Sequence, residues 1–212
     1  MNKYKVIILS LLISFMGASC EDWLYDNINE DAAHEVLPQQ VLPVVLFYSA
    51  QLQFDHAEYG AYLTQTLTTG GRNQTSSFAY KSGWGDFLTM NRHPQWRRHF
   101  YDIGVNAKEI IDEAHEAQAW NLELISRTLR LMSTQMTTDL FGDMPRSEAY
   151  ESNSPHYDTQ ESIYEWMNQE IEELIGMYED PTYTEAATNI PIDQSIDRVF
   201  AGDLNKWKHY TY

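Results

Sequence analysis

From Leu122 the apolar positions Ile125, Leu129, Met132, Met136 and Leu140 follow at intervals of three and four, which places them on one stripe of an α-helix. Gly142, just past that stripe, can take the left-handed conformation that closes a helix, and Pro145 cannot continue one. The spacing therefore predicts a helix over 122–140 and a loop over 141–157. Asp139 lies in the last turn, at the negative end of the helix dipole, and is expected to accept hydrogen bonds from the amides of the Phe141 to Met144 turn, folding that turn back.

The same spacing recurs upstream and downstream. Trp96, Phe100, Ile103, Ala107, Ile110 and Ala114 follow Pro94, a residue suited to the first helical position, and predict a regular helix. The few residues from Ala117 to Trp120 are too short a link for anything but an antiparallel pair with the helix that follows. Gln39 to Thr69 reads as one long or broken helix. Leu42, Val45, Leu46, Ser49 and Leu52 share one face of it, and Tyr59, Leu63 and Leu67 share another after a polar break at Asp55-His56. Asp158 with Glu161 forms a capping-box pattern ahead of Ile163, Met167, Ile171, Leu174 and Tyr178, with Glu165, Glu170, Glu172 and Glu173 as the solvated face. Asp203 opens a last helix on which Leu204, Trp207 and Tyr210 share a stripe, with no Gly, Asn or Pro to close it before Tyr212, so an exposed apolar flank is expected there. The fold class is all-α, a series of antiparallel helical hairpins with long polar loops, cut before its last pair is complete.

Between these helices, Gly70 to Asn91 is rich in Gly, Ser, Asn and Thr, with Tyr80, Trp84 and Phe87 among them. Rings in such a loop need a hydrophobic floor or a flat-faced ligand. Both readings stand: the rings plug the loop onto the helices, or Tyr80, Trp84 and Phe87, with Trp96 beyond the loop, contact ligand.

Composition changes the picture in one respect. With a formal net charge of −17 over 212 residues, and no basic run longer than Arg97-Arg98, the chain is a poor partner for nucleic acid. Lys3 and Lys5, the apolar run Val6 to Met16, and Gly17, Ala18 and Ser19 before Cys20 have the form of an export signal, and the run is short of the ~20 residues that span a bilayer. Cys20 is the single cysteine and stands where a lipoprotein carries its acylated residue. The expected organisation is a signal peptide over 1–19, a lipidated Cys20 with an acidic tether over 20–37, and a helical domain over 38–212. Catalytic chemistry has little to rest on. His115-Glu116 begins a zinc-protease pattern, but Ala119 occupies the second His position, and the chain holds neither a Gly-x-Ser-x-Gly elbow nor a Gly-rich phosphate loop. No metal or cofactor is expected.

The stretch Asp139 to Tyr150, DLFGDMPRSEAY, resembles the DLFGDIPYSEA signature of the SusD/RagB family of surface nutrient-binding lipoproteins. EYGAYLTQTLTTGG, from Glu58 to Gly71, is similar to the family's first long helix, and DRVFAGDLNKWKHY, from Asp197 to Tyr210, to its D-x-I-Y-x-G-D-x-x-K-W element, in the right order. The chain departs at Arg146, where an aromatic is common, at Phe200 for the usual Tyr, and in its length, which corresponds to an N-terminal half. The resemblance implies a tetratricopeptide-like helical fold and a non-catalytic protein lipid-anchored at the outer membrane. Such a protein would capture a starch-like oligosaccharide, another glycan, or a peptide, and deliver it to a TonB-dependent (SusC-like) transporter. It also implies that Asp139, Phe141, Gly142, Asp143 and Pro145 are structural. The alternatives are a secreted glycan-acting enzyme and a truncated helical adaptor without a ligand site.

Overall fold

In the computed structural model, the helix Trp120–Phe141 is the axis on which the other elements pack. Residues 36–64, 66 and 94–212 are described. The leader with Cys20, and the loop with Tyr80, Trp84 and Phe87, lie outside them, as do the side chains of Tyr59 and Leu63 and all of Leu67. In chain order the helices are α1 (Pro38–Leu63), α2 (Pro94–Arg97), a π-helical segment (Arg98–Val105), α3 (Asn106–Glu116), α4 (Trp120–Phe141), α5 (Gln160–Glu179), the short α6 (Pro181–Thr184) and α7 (Leu204–Thr211). Among the described residues there is no strand, only an isolated antiparallel bridge between Met144 and Asp158.

The predicted hairpins form. Gln118, at φ 55°, turns the chain between α3 and α4, which pack side by side. Helix α5 then runs back along α4: Gln160 Nε2 donates to Thr138 O at 2.7 Å at one end, and Thr128 and Tyr178 share a hydroxyl hydrogen bond of 3.0 Å at the other. On α1 the expected face of Leu42, Val45, Leu46, Ser49 and Leu52 is buried against α3, α4 and the π-helical segment.

Four expectations are corrected. Helix α1 does not break at Asp55-His56, because Asp55 is buried and ion-paired with Arg98 at 2.5 Å, which supplies a partner for the charge that the core would otherwise reject. The regular helix expected from Pro94 widens to π geometry over Arg98–Val105. The solvated face of α5 loses Glu170, buried and 2.8 Å from Arg127, which also meets Glu173 at 2.9 Å and Glu123 at 3.3 Å. Burial disfavours the Arg127 charge, and the bonds from Glu170 and Glu173 outweigh it, so its pKa is raised. Finally, the flank of α7 is largely covered. Trp207 is completely buried, Thr211 bonds Thr128 at 3.0 Å, Leu204 is half-buried, and Tyr210, though exposed, is hydrogen-bonded to Gln53.

The preceding loop fastens Trp207, bonding its indole and setting Phe200 edge-on to it. Asp197, itself fully buried, accepts from the amides of Val199 at 2.9 Å and Phe200 at 3.1 Å through Oδ1, and from the amide of Gly202 and the indole Nε1 of Trp207 at 2.8 Å each through Oδ2. Gly202 sits at φ +76°, and a Cβ there would lie 2.4 Å from the carbonyl oxygen of Ile192, so both conformation and space demand glycine. Asp203 then caps α7, its side chain accepting from the amides of Asn205 and Lys206.

Candidate functional site

The end of α4 and the loop behind it are built around Gly142, Thr138 and Asp158. At φ 76° and ψ −125°, Gly142 takes a conformation open to glycine and donates its amide to Thr138 O at 2.7 Å, while the Thr138 hydroxyl returns a bond to Gly142 O at 2.8 Å. Asp139 does not hold this turn. Its carboxylate accepts instead from the hydroxyl of Tyr164 on α5, one turn along the neighbouring helix, which replaces the expected bonds from the loop amides. Asp143 accepts from the amide of Gln160, the first residue of α5.

Asp158 is the residue that folds the loop. Its backbone pairs with Met144 in both directions, at 3.2 and 3.1 Å, and its side chain accepts from the amides of Arg146 at 2.8 Å and Ser147 at 2.9 Å and from the Ser147 hydroxyl. Burial would raise the Asp158 pKa; these donors outweigh it, and the carboxyl is held below its ordinary value. Occupied in this way, Asp158 leaves the capping of α5 to Thr159, whose side chain accepts from the Ser162 amide at 3.2 Å, in place of the expected Asp158 capping box.

Closing at Met144 and Asp158, the loop leaves a hollow on either side of Pro145, Ala149 and Tyr150. One, of about 340 Å³, is walled by Trp96, Phe100, Tyr101, Tyr150 and Pro155. Trp96 is half-buried, at 4.7 Å between ring centroids from Phe100, edge-on to Phe141 at 5.3 Å, and stacked at 6.3 Å and 22° on Tyr157. Tyr101 and Tyr157 are 69% and 54% exposed. Phe141 of the structural motif thus serves as the floor of the Trp96 cluster. Of the sequence-predicted ligand rings, Trp96 alone lies among the described residues, and it packs inward on one edge while bordering open space on another.

The second hollow, of about 210 Å³, is polar. His99, Lys108, Arg130, Arg146, Tyr150 and Trp166 line it. The Arg146 guanidinium lies 4.5 Å over the Trp166 ring, and its Nε is buried without a hydrogen-bond partner among the described residues. Lys108 is shared between Asp112 at 2.6 Å and Glu151 at 3.5 Å. Burial, and then the charge of Arg130, push the His99 pKa down to about 3, so the imidazole is neutral, bonded through Nδ1 to Ser133 at 2.7 Å. Burial pushes Tyr150 up to about 12 against the opposing pull of Arg130, so its hydroxyl keeps its proton. That hydroxyl occupies the space over Gly104, in the π-helical segment, that a side chain would fill: a Cβ on Gly104 would lie 1.8 Å from it and 2.6 Å from the carbonyl of His99. Sequence reading missed this hollow. Its residues come from the π-helical segment, α3, α4, the loop and α5, and only Arg146, as a departure from a motif, carried a signal.

The helical array closed by this loop and by the Asp197 corner matches a known family. The chain belongs to the SusD-like family described as "Starch-binding associating with outer membrane", whose profile matches residues 38–212. Among solved structures it is similar to a SusD/RagB family protein from Bacteroides thetaiotaomicron VPI-5482, with a TM-score of 0.58 and 19% identity over 84% of this chain. The match spans 36% of that protein's length. No curated protein matches the chain. The all-α expectation and the family resemblance both hold.

Proposed function

We propose that the chain belongs to a non-catalytic, lipid-anchored outer-membrane protein that captures an oligosaccharide and passes it to a TonB-dependent transporter. The family match over 38–212 supports the class, and the observation that carries the ligand is the Trp96 cluster. Half-buried and exposed rings, fixed at their edges by Phe100, Phe141 and Tyr157 and bordering an open hollow, are rigid flat faces of the kind on which a sugar ring stacks. Tyr80, Trp84 and Phe87 belong to the same reading as further contacts, and Cys20 as the acylated residue.

Calorimetric titration of the protein against a panel of oligosaccharides tests this. Trp96→Ala weakens the binding of the best ligand by about tenfold, the order expected when one stacked ring and its burial are lost, and the sugar is recovered at its original length. Shortened products would favour an enzyme, and unchanged affinity in Trp96→Ala would remove that ring from the site. Membrane association and fatty-acid labelling that disappear in Cys20→Ala check the anchor.

A further inference from the structure

In a chain of net charge −17, the polar hollow beside Tyr150 gathers three cations beside one carboxylate, Glu151, and two of the cations make no ion pair among the described residues. Lys108 is neutralised by Asp112 and Glu151. Among the described residues no carboxylate stands within ion-pairing distance of half-buried Arg130, which Glu170 and Asp112 reach only from farther off, or of half-buried Arg146, which meets Asp158 in the same way, whereas half-buried Arg98 and buried Arg127 are each paired at 2.8 Å or less. Removing a guanidinium from water without a partner is unfavourable by several kcal/mol in general, and arginines are seldom left so without something to meet. The Arg146 Nε is buried with no hydrogen-bond partner among the described residues, and the guanidinium carbon sits 4.5 Å over the Trp166 ring. Of the remaining wall, the His99 ring is neutral and the Tyr150 hydroxyl keeps its proton, and the one carboxylate on it, Glu151, is engaged by Lys108. The planar fork of N–H donors on an arginine matches the geometry of a carboxylate or a sulfate ester. The volume, about 210 Å³, is below the ~300–1,000 Å³ of a typical small-molecule cleft and suits one charged substituent with part of a ring.

The geometry points to an anion subsite: Arg130 and Arg146 bind the carboxylate or sulfate group of an acidic sugar. The identity of the ligand rests on the glycan reading above, and the anion site rests on the hollow itself. The two hollows share Pro145, Ala149 and Tyr150, so acidic and neutral parts of one oligosaccharide are recognised on opposite sides of a single loop.

Calorimetry with an oligogalacturonate, a sulfated galactan oligosaccharide and the neutral galactan counterpart tests the assignment and separates the two anion sources. At low salt at least one acidic ligand binds about tenfold or more tightly than the neutral one, an advantage that shrinks as sodium chloride is raised. Arg146→Gln and Arg130→Gln each abolish that advantage and leave the neutral ligand unaffected. Arg146 lies in the loop, so its variant decides if Arg130→Gln fails to fold. Equal affinity for acidic and neutral ligands, or acidic binding retained in Arg146→Gln, overturns the assignment. Should no oligosaccharide bind, the glycan reading falls by itself. The anion site is then judged by the rise in thermal midpoint with sodium sulfate over that of Arg146→Gln, since sulfate stabilises any folded protein by exclusion. An equal rise in the two proteins rejects it.

Discussion

Asp197→Asn removes one charge and almost no volume, yet it should unfold the corner that fastens Trp207. Oδ1 of Asp197 serves the amides of Val199 and Phe200, and Oδ2 serves the amide of Gly202 and the indole of Trp207. An asparagine has one carbonyl oxygen, so whichever way it turns, its NH₂ faces two donors with a donor. Hydrogen bonds to a charged acceptor are worth about 1.5–3 kcal/mol each, and a buried donor left unpaired costs about 1–3 kcal/mol. Because two donors keep a weaker acceptor and the backbone can relax, the loss falls at about 2–4 kcal/mol for Asn, and at the upper end of that range or beyond for Ala. Against a typical total of about 5–15 kcal/mol this is a large fraction. Urea unfolding followed by tryptophan fluorescence and far-ultraviolet dichroism measures it, and the midpoint should fall with little change in slope. An Asn variant within about 0.5 kcal/mol of the parent would refute the argument, because it would mean that water already supplies what the carboxylate was thought to supply.

Gly104→Ala forces Tyr150 from its seat and presses on the His99 carbonyl, and should cost about 1–3 kcal/mol, the range of an overpacked core, with thermal melting as the check. Tyr150→Phe in that background recovers part of the loss, since it removes the nearest of the three clashing atoms and leaves the ring carbon and the His99 carbonyl. Thr159→Ala, which deletes the cap of α5, should cost about 1 kcal/mol in the same assay. For acid, His99 has an ordinary value of 6.5 and a folded value near 3. The unfolded chain takes up a proton that the folded chain refuses, so the His99 contribution is complete above about 6.5 and is lost progressively as pH falls from there toward 3. Stability measured between pH 7 and 4 should fall less steeply in His99→Gln than in the parent.

The helices and the buried stripe of α1 were legible in the sequence because apolar spacing reports a face directly. Gly142 and Asp203 were legible as punctuation. Less legible was any choice among acids. Asp139, Asp143, Asp158 and Asp197 are the same side chain at loop edges, and which one gathers the amides depends on where the chain returns, a long-range matter. The same holds for charge. Asp55-His56 reads as a polar break until Arg98 arrives across the core, and Glu170 reads as solvated until α4 presents Arg127. The Trp96 half of the candidate site could be named from its ring beside a Gly-rich loop. The arginine half could not, since Arg130 sits on a helix whose pattern predicts one buried stripe, whereas α4 is packed from several directions and buries polar residues as well.

The π-helical segment Arg98–Val105 has a consequence for how the chain tolerates insertion and deletion. An α-helix advances about 100° per residue, and a π turn absorbs an additional residue without breaking the rod. Deleting one residue there would let the segment relax to ordinary α geometry, which preserves the helix but rotates everything before it by about 100° relative to α3. Arg98 would then swing away from Asp55, and Trp96 away from Phe141 and Tyr157, while Ile110 and Ala114 kept their places. The extra residue acts as a phase setting between the core-facing stripe of α3 and the ring cluster at its head. A frame-preserving deletion in this segment should therefore keep the helix continuous while dispersing the ring cluster around Trp96.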